Sequence, residues 1–152
     1  MAPRLEVSRD IAASPEQVYD AISDVTRMGE WSEECHSCEW HEGSSGPVVG
    51  ATFDGHNQHG ENRWTTQGTV IEADRGRAFA FECSLKEFHF STWGYLIEPT
   101  DTGCRVTEWC EDLRPESALE FSKRTSGVED RTERNHHTMS ATLERLGHAL
   151  SG

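Results

Sequence analysis

The sequence predicts a single α+β domain: a curved antiparallel sheet of about six to seven strands wrapped around one long C-terminal helix, with two short helices after the first strand. Three observations carry this. Strand-like runs follow one another at short, regular spacing through the middle of the chain; the connectors between them are turn-rich; and the apolar period changes from two to about 3.6 near the end. A sheet with one apolar face needs a cover, and the terminal helix is the only element long enough to supply it.

Arg4 to Ile11 alternates around Leu5 and Val7 and reads as a half-buried first strand. Ser14-Pro15-Glu16-Gln17 then opens a short helix, with Ser14 as N-cap, Pro15 at the first helical position and Gln17 closing a capping box. Val18, Ala21, Ile22 and Val25 give its apolar stripe, and Gly29 is expected to end a helical turn in the left-handed conformation just before Trp31. A weak strand, Cys38 to His41, and a Gly/Ser/Pro turn lead into five runs: Ala51–Gln58, Trp64–Ala73, Ala78–Leu85, Ser91–Pro99 and Cys104–Glu111. Their short connectors imply antiparallel neighbours in a meander. Leu113 to Arg124 reads as a short helix opening with Pro115. The long helix is predicted over Val128–Leu150, with Ser126 as N-cap and Glu129 completing the S-x-x-E pattern.

That helix has an apolar stripe of Val128, Met139, Leu143, Leu146 and Leu150, on which Thr132, Asn135 and Thr142 also fall. Glu129, Glu133, His137, Glu144, Arg145 and His148 form a solvent-exposed face. Strand parity gives a matching inner face: Phe53, Gly55 and Asn57, then Trp64, Thr66, Gly68 and Val70, then Phe79, Phe81 and Cys83. Trp93, Tyr95 and Ile97 continue it, followed by Val106, Glu108 and Cys110. An interior of aromatics with an amide, a phenol and a carboxylate suits a ligand cavity better than a solid core, where Leu, Ile and Val would dominate.

Bulk properties narrow the function classes. The chain has 152 residues, long enough for one well-formed core, and a net charge of -13, which works against nucleic acid and anionic membrane surfaces. No apolar run is long enough to span a membrane, and Met1 to Val7 shows no apolar segment of a secretory signal. The five cysteines, an odd number, are therefore expected to be reduced thiols in the cytoplasm. Walker-type, Rossmann-type and Ser-His-Asp signatures are absent.

The stretch from Ile11-Ala-Ala-Ser-Pro-Glu-Gln-Val through Asp24-Val25, with Met28-Gly-Glu-Trp-Ser, resembles the opening of the polyketide cyclase/dehydrase branch of the START-like (SRPBCC) superfamily. So do Phe79-Ala-Phe, Trp93-Gly-Tyr-Leu-Ile-Glu-Pro-Thr-Asp-Thr-Gly, Arg105-Val-Thr-Glu, and Gly127-Val-Glu-Asp-Arg with Asn135 and Met139-Ser-Ala-Thr-Leu-Glu-Arg-Leu. The likeness spans essentially the whole chain and is nearest the generic, actinobacterial-type members. It implies a helix-grip fold with a deep pocket between sheet and C-terminal helix, and a hydrophobic small molecule as partner. Function varies widely on this fold, so the pocket follows from the resemblance more firmly than any reaction.

Two readings stand for each candidate residue. Glu108 near Tyr95 suits a general acid or base for aldol cyclisation or dehydration, and equally an inert ion pair with Arg131. Arg131 and Asn135 match the family's helix positions and would orient a carbonyl, or else bracket helix to sheet. In aromatase members an arginine helps hold the substrate; Arg63 falls outside by parity, which leaves Arg131. Trp31, Phe53, Asn57, Trp64, Phe81, Trp93, Asn135 and Met139 are the expected pocket walls, with core packing as the plain alternative for the aromatics. Cys35-x2-Cys38-x2-His41 has metal-ligand spacing but no second pair nearby, so no metal and no cofactor are expected. His136-His137 reads as a solvated helix face. The expected function is a cofactor-independent cyclase or dehydratase of secondary metabolism, with a non-catalytic carrier or sensor as the competing class; the chain would act as monomer or homodimer.

Overall fold

A computed structural model describes residues 4–151. Met1 to Pro3, the start of the stretch read above for a signal, lie outside the described residues. The elements run β1 (Arg4–Ile11), α1 (Pro15–Ser23), a 3₁₀ turn (Val25–Arg27), α2 (Met28–Trp31), β2 (Cys35–Trp40), β3 (Thr52–His59) and β4 (Asn62–Asp74). Then come β5 (Ala78–Leu85), β6 (Phe88–Thr100), β7 (Gly103–Asp112), a second 3₁₀ turn (Glu116–Ala118), α3 (Leu119–Ser126) and α4 (Arg131–Ser151).

One seven-stranded sheet has the order β1-β7-β6-β5-β4-β3-β2, antiparallel throughout. β2 to β7 are the predicted meander, and β1 pairs along the free side of β7. The chain between β1 and β2 therefore crosses from one sheet edge to the other, and α1 and α2 make that crossing. The predicted fold class is the observed one: a sheet gripping α4, with short helices after the first strand.

The N-terminus of α1 follows from its sequence. Gln17 N donates to Ser14 Oγ at 3.1 Å and Ser14 N to Gln17 Oε1 at 3.0 Å, the reciprocal capping box, with Pro15 at the first turn. Its apolar stripe, Val18, Ala21, Ile22 and the following Val25, is buried against one end of the sheet, where Tyr19 meets Phe79 edge-on at 6.3 Å. Val70, Phe79, Ile97, Val106, Leu143 and Leu146 complete a solid core there. Each such side chain contributes roughly 1.5–3 kcal/mol on burial.

Several local expectations need correction. α4 begins at Arg131, and its cap is Asp130, whose Oδ1 accepts from Glu133 N at 3.0 Å. Ser126 instead ends α3, and Gly127 caps that helix at φ 72°. Both Ser126-x-x-Glu129 and Asp130-x-x-Glu133 fit a capping pattern; the left-handed glycine between them makes the second the true start. Thr132 is exposed, and Thr138 is buried beside Asn135 and Thr142. Val128 is buried but precedes the helix.

Gly29 is not left-handed: it lies inside α2, where any Cβ would collide with the His36 carbonyl of β2. It is a close-approach glycine. The region read as a helix from Leu113 holds a 3₁₀ turn after Pro115 and then α3. The exposed face of α4 is also less solvated than expected. His137 Nε2 lies 3.0 Å from Glu33 Oε2, and Arg145 Nη2 lies 3.5 Å from Glu33 Oε1, both ties to the loop after α2.

Candidate functional site

Away from the solid core the sheet and α4 diverge around a cavity of about 450 Å³. Its position follows from two periodicities that run out of bulk together. The first half of α4 presents Arg131, Asn135, Thr138 and Thr142, too short or too polar to fill the space that Leu143 and Leu146 fill further along. The facing strands present Gly55, Thr66 and Cys83 between their aromatics. Gly68 belongs to the boundary: the Phe53 ring lies where its Cβ would be, so only glycine lets that ring turn in under β4.

Glu108 sits on the inner face of β7, flanked in register by Tyr95 on β6 and Val7 on β1. It is 5% exposed, and its Oε1 has no hydrogen-bond partner among the described residues. Burial pushes the carboxyl up to about 8, partly offset by the hydrogen bond from the Tyr95 hydroxyl. The acid is therefore mostly neutral at pH 7 and can donate a proton. Burial, and then the Glu108 charge, hold the Tyr95 phenol well above its usual value. It remains a donor across the physiological range.

Arg131 does not pair with Glu108. Its Nη1 donates to Glu34 Oε1 at 2.7 Å and Oε2 at 3.0 Å, and reaches Asn135 Oδ1 at 3.4 Å. Its guanidinium also lies 5.9 Å from the Trp64 ring centre. Arg134 adds a contact to Glu34 at 3.4 Å, so α4 is latched to the chain between α2 and β2. The ion-pair alternative for Glu108 is thus replaced by one with Glu34.

The expected wall residues Trp31, Phe53, Asn57, Trp64, Phe81, Trp93 and Asn135 all line the cavity, with Glu108, Tyr95 and Arg131. Phe53 and Phe81 pack edge to face at 5.4 Å. Met139 is a correction: it is fully buried one step round the helix, with Cys110 Sγ 3.8 Å from its sulfur, and it does not line the space. The polar wall groups differ in how they are satisfied. Trp93 Nε1 donates to Ser91 Oγ at 3.1 Å, and the Asn57 amide nitrogen is taken up by Gly55 O at 3.2 Å and Thr66 Oγ1 at 3.3 Å. Trp31 Nε1, 4% exposed as a residue, has no partner among the described residues. An unpartnered buried donor costs roughly 1–3 kcal/mol. Two such groups, Trp31 and Glu108, line one cavity.

Sequence reasoning missed the rim. Leu85 and Phe88 at the β5–β6 turn, and Phe121 on α3, border the opening, and Phe88 and Phe121 are well exposed. Phe121 was visible as a lone aromatic in the otherwise polar run Leu119-Glu-Phe-Ser-Lys-Arg-Thr-Ser.

Cys35 and Cys38 face the cavity, but His41 does not join them. Its ring lies on the other face, with Nδ1 2.8 Å from Thr52 Oγ1 and Nε2 2.7 Å from Asp54 Oδ1. Among the described residues no group of three or more His, Cys, Asp or Glu side chains is arranged to hold a metal ion.

A seven-stranded antiparallel sheet curled on a C-terminal helix, with a cavity between them, defines a START-like helix-grip protein. Residues 2–148 match the model of the family described as polyketide cyclase / dehydrase and lipid transport, and the chain belongs to that family. A solved polyketide-cyclase-like protein of Corynebacterium glutamicum is 34% identical over 99% of this chain and 92% of its own, with a TM-score of 0.65. A Chromobacterium violaceum protein of solved structure is 16% identical, covers 98% of both chains and has a TM-score of 0.73. The di-domain aromatase/cyclase StfQ of steffimycin biosynthesis is 15% identical with a TM-score of 0.74; the match covers 97% of this chain and 50% of StfQ. These last two likenesses are of fold. No curated protein matches the sequence.

Proposed function

We propose that the cavity binds a neutral, largely apolar small molecule carrying at least one carbonyl oxygen, and that Glu108 and Tyr95 act on it as in a polyketide cyclase or dehydratase. The single observation that carries this is the pair of unpartnered buried groups, Glu108 Oε1 and Trp31 Nε1, lining one aromatic-walled space. A neutral carboxylic acid and an indole N–H are both donors, so the complementary ligand is an acceptor. An anionic ligand would have to leave water for a wall whose two arginines, Arg131 and Arg114, are already neutralised by Glu34 and Asp112, with Lys86 at the β5–β6 turn as the remaining cation.

The chemistry follows from Glu108. A carboxyl near 8 is close to working pH, so it can take an α-proton as carboxylate and return it to a forming alkoxide as acid. Once Glu108 has taken the proton, the single O–H of Tyr95 is released from the carboxylate and would donate to the oxygen on which enolate charge develops. Aldol closure followed by loss of water needs those two roles and no cofactor. Arg131 acts as a positioning residue that holds Asn135 and the Trp64 ring. The setting is a cytoplasmic protein of secondary metabolism.

One observation favours a second reading, a non-catalytic carrier or sensor. At pH 7 the carboxyl is mostly protonated, which suits holding a carbonyl more than enolising its neighbour. The test is native mass spectrometry of the protein purified from its own host, with extraction of whatever leaves on unfolding. A co-purifying neutral organic mass supports the binding reading. Turnover of that compound, lost in Glu108→Gln, supports the enzyme; binding without product supports the carrier. A strictly apo protein that also takes up no carbonyl-bearing aromatic contradicts both.

A further inference from the structure

Cys35 and Cys38 take no part in the contacts proposed above, yet they lie on the cavity wall with their sulfurs 3.3 Å apart. Residues three apart on a regular strand point to opposite faces. Here the pairing of β2 with β3 shifts between Cys35 and Ser37, so His36 is the extra residue of a bulge. The bulge brings both thiols to the inner side, giving the buried-exposed-exposed-buried pattern of Cys35 to Cys38. Gly55, opposite Cys38 in register, presents no side chain between the two sulfurs and the cavity. Met28, also on the wall, has its Sδ 3.7 Å from Cys38 Sγ.

We propose that Cys35 and Cys38 form a dithiol–disulfide couple on the cavity wall, oxidised by a small neutral disulfide that enters through the ligand opening. The sulfurs need to approach by about 1.2 Å to reach bonding distance, a displacement within reach of side-chain rotation at a bulge. All five cysteines are free, so the reduced form is the one described here.

The two thiols have different roles. With Cys38 as the donor across the 3.3 Å contact, the Cys35 thiol is drawn below its usual value and Cys38 is held above. Cys35 is then the attacking thiolate. It displaces one thiolate, RS⁻, from the disulfide RSSR and forms a Cys35–S–S–R mixed disulfide. Cys38 next gives up its proton and attacks the Cys35 sulfur, expelling the second RS⁻. The protein loses two hydrogens and two electrons, and RSSR leaves as two RSH. Cys83, on the same wall, is pushed up to about 12 by burial, which keeps it a thiol. Cys110, also on the wall, is likewise pushed up to about 12 by burial, and Cys104 lies in the solid core away from the cavity.

The experiment treats the intact protein with hydroxyethyl disulfide, quenches with acid, unfolds, alkylates with N-ethylmaleimide and maps peptides by mass. The expected result is loss of two alkylatable thiols out of five, with Cys35 and Cys38 in one peptide two hydrogens lighter. Cys38→Ser should stop at a hydroxyethylthio adduct on Cys35. Cys35→Ser should react at Cys38 about tenfold or more slower. Five alkylatable thiols after treatment, or a lost pair that includes Cys83, Cys104 or Cys110, overturns the proposal. Equal adduct rates in the two variants overturn the assignment of Cys35 as attacker. The wild-type map decides the existence of the couple even where a variant fails to fold.

Discussion

The two ends of the sheet–helix layer are made from the same strands and the same helix, and they differ in what meets between them. At one end Val70, Phe79, Ile97 and Val106 meet Leu143 and Leu146, and α1 closes the side with Val18 and Ile22. At the other end Phe53, Trp64, Phe81 and Trp93 face Asn135, Thr138 and Thr142, with about 450 Å³ of space between. Strand parity is continuous across both. The difference lies in the helix, whose side chains change from branched aliphatic to short and polar, and in the absence of a second α1 at the cavity end. Packing is thus complete where stability is made and interrupted where the unpartnered polar groups sit, a cost that a purely structural layer would not carry.

The sharpest way to break this comparison uses adjacent residues of α4. Leu143→Ala should destabilise by about 2–5 kcal/mol, because it removes a fully buried aliphatic from a closed core. Thr142→Val, equally buried but facing the cavity, should change stability by no more than about 0.5 kcal/mol. Urea unfolding of the two variants measures both. Equal losses would mean the cavity end is packed like the core.

Glu108→Gln comes next. The folded carboxyl keeps its proton up to about 8, and the unfolded one loses it near the ordinary 4.5, so between these values the folded state binds more protons. Stability from this group is full below the lower value and falls as pH rises through the window. Between pH 5 and pH 8 the wild type should lose about 3–4 kcal/mol from Glu108. The glutamine variant should lack that slope and be the more stable protein at pH 8. Parallel curves would show the carboxylate to be solvated.

A smaller effect is expected at the latch. Arg131→Gln leaves Glu34 half-buried with Arg134 as its remaining partner, and should cost about 1–2 kcal/mol. A double-mutant cycle with Glu34→Gln should show coupling of at least about 0.5 kcal/mol. Additive losses would remove the latch.

Much of this architecture was legible in the residues. Alternation in β3 to β7 placed Phe53, Asn57, Trp64, Phe81, Trp93, Tyr95 and Glu108 on one face, because a two-residue period leaves no freedom once one bulky residue is assigned. Thr132, Asn135 and Thr142 on the helix stripe signalled a hollow, and Asn135 and Thr142 do face it while Thr132 is exposed. The errors arose where a local signal had two solutions. The capping pattern fitted at Ser126 and at Asp130, and the apolar stripe of the helix, centred slightly to one side, took in Thr132 in place of Thr138. Met139 is on the inner side of α4 but beside Cys110, out of reach of the space, a distinction of about one helical step that periodicity does not resolve. Glu34 lies 97 positions from its partner Arg131, in a stretch with no period of its own. The bulge at His36 was likewise invisible, since nothing in Cys35-His-Ser-Cys38 marks an extra residue.

The most direct test of the central claim, that the hollow end is a site for a neutral apolar ligand anchored through its carbonyl on Glu108, is the pH dependence of binding of the carbonyl-bearing fluorophore 6-propionyl-2-(dimethylamino)naphthalene to wild type and Glu108→Gln by fluorescence. Wild-type affinity should fall as pH rises through about 8, where the buried acid ionises, and the glutamine variant should bind with no such transition. Absence of binding to the wild type at every pH, or the same pH profile in both proteins, would contradict the account.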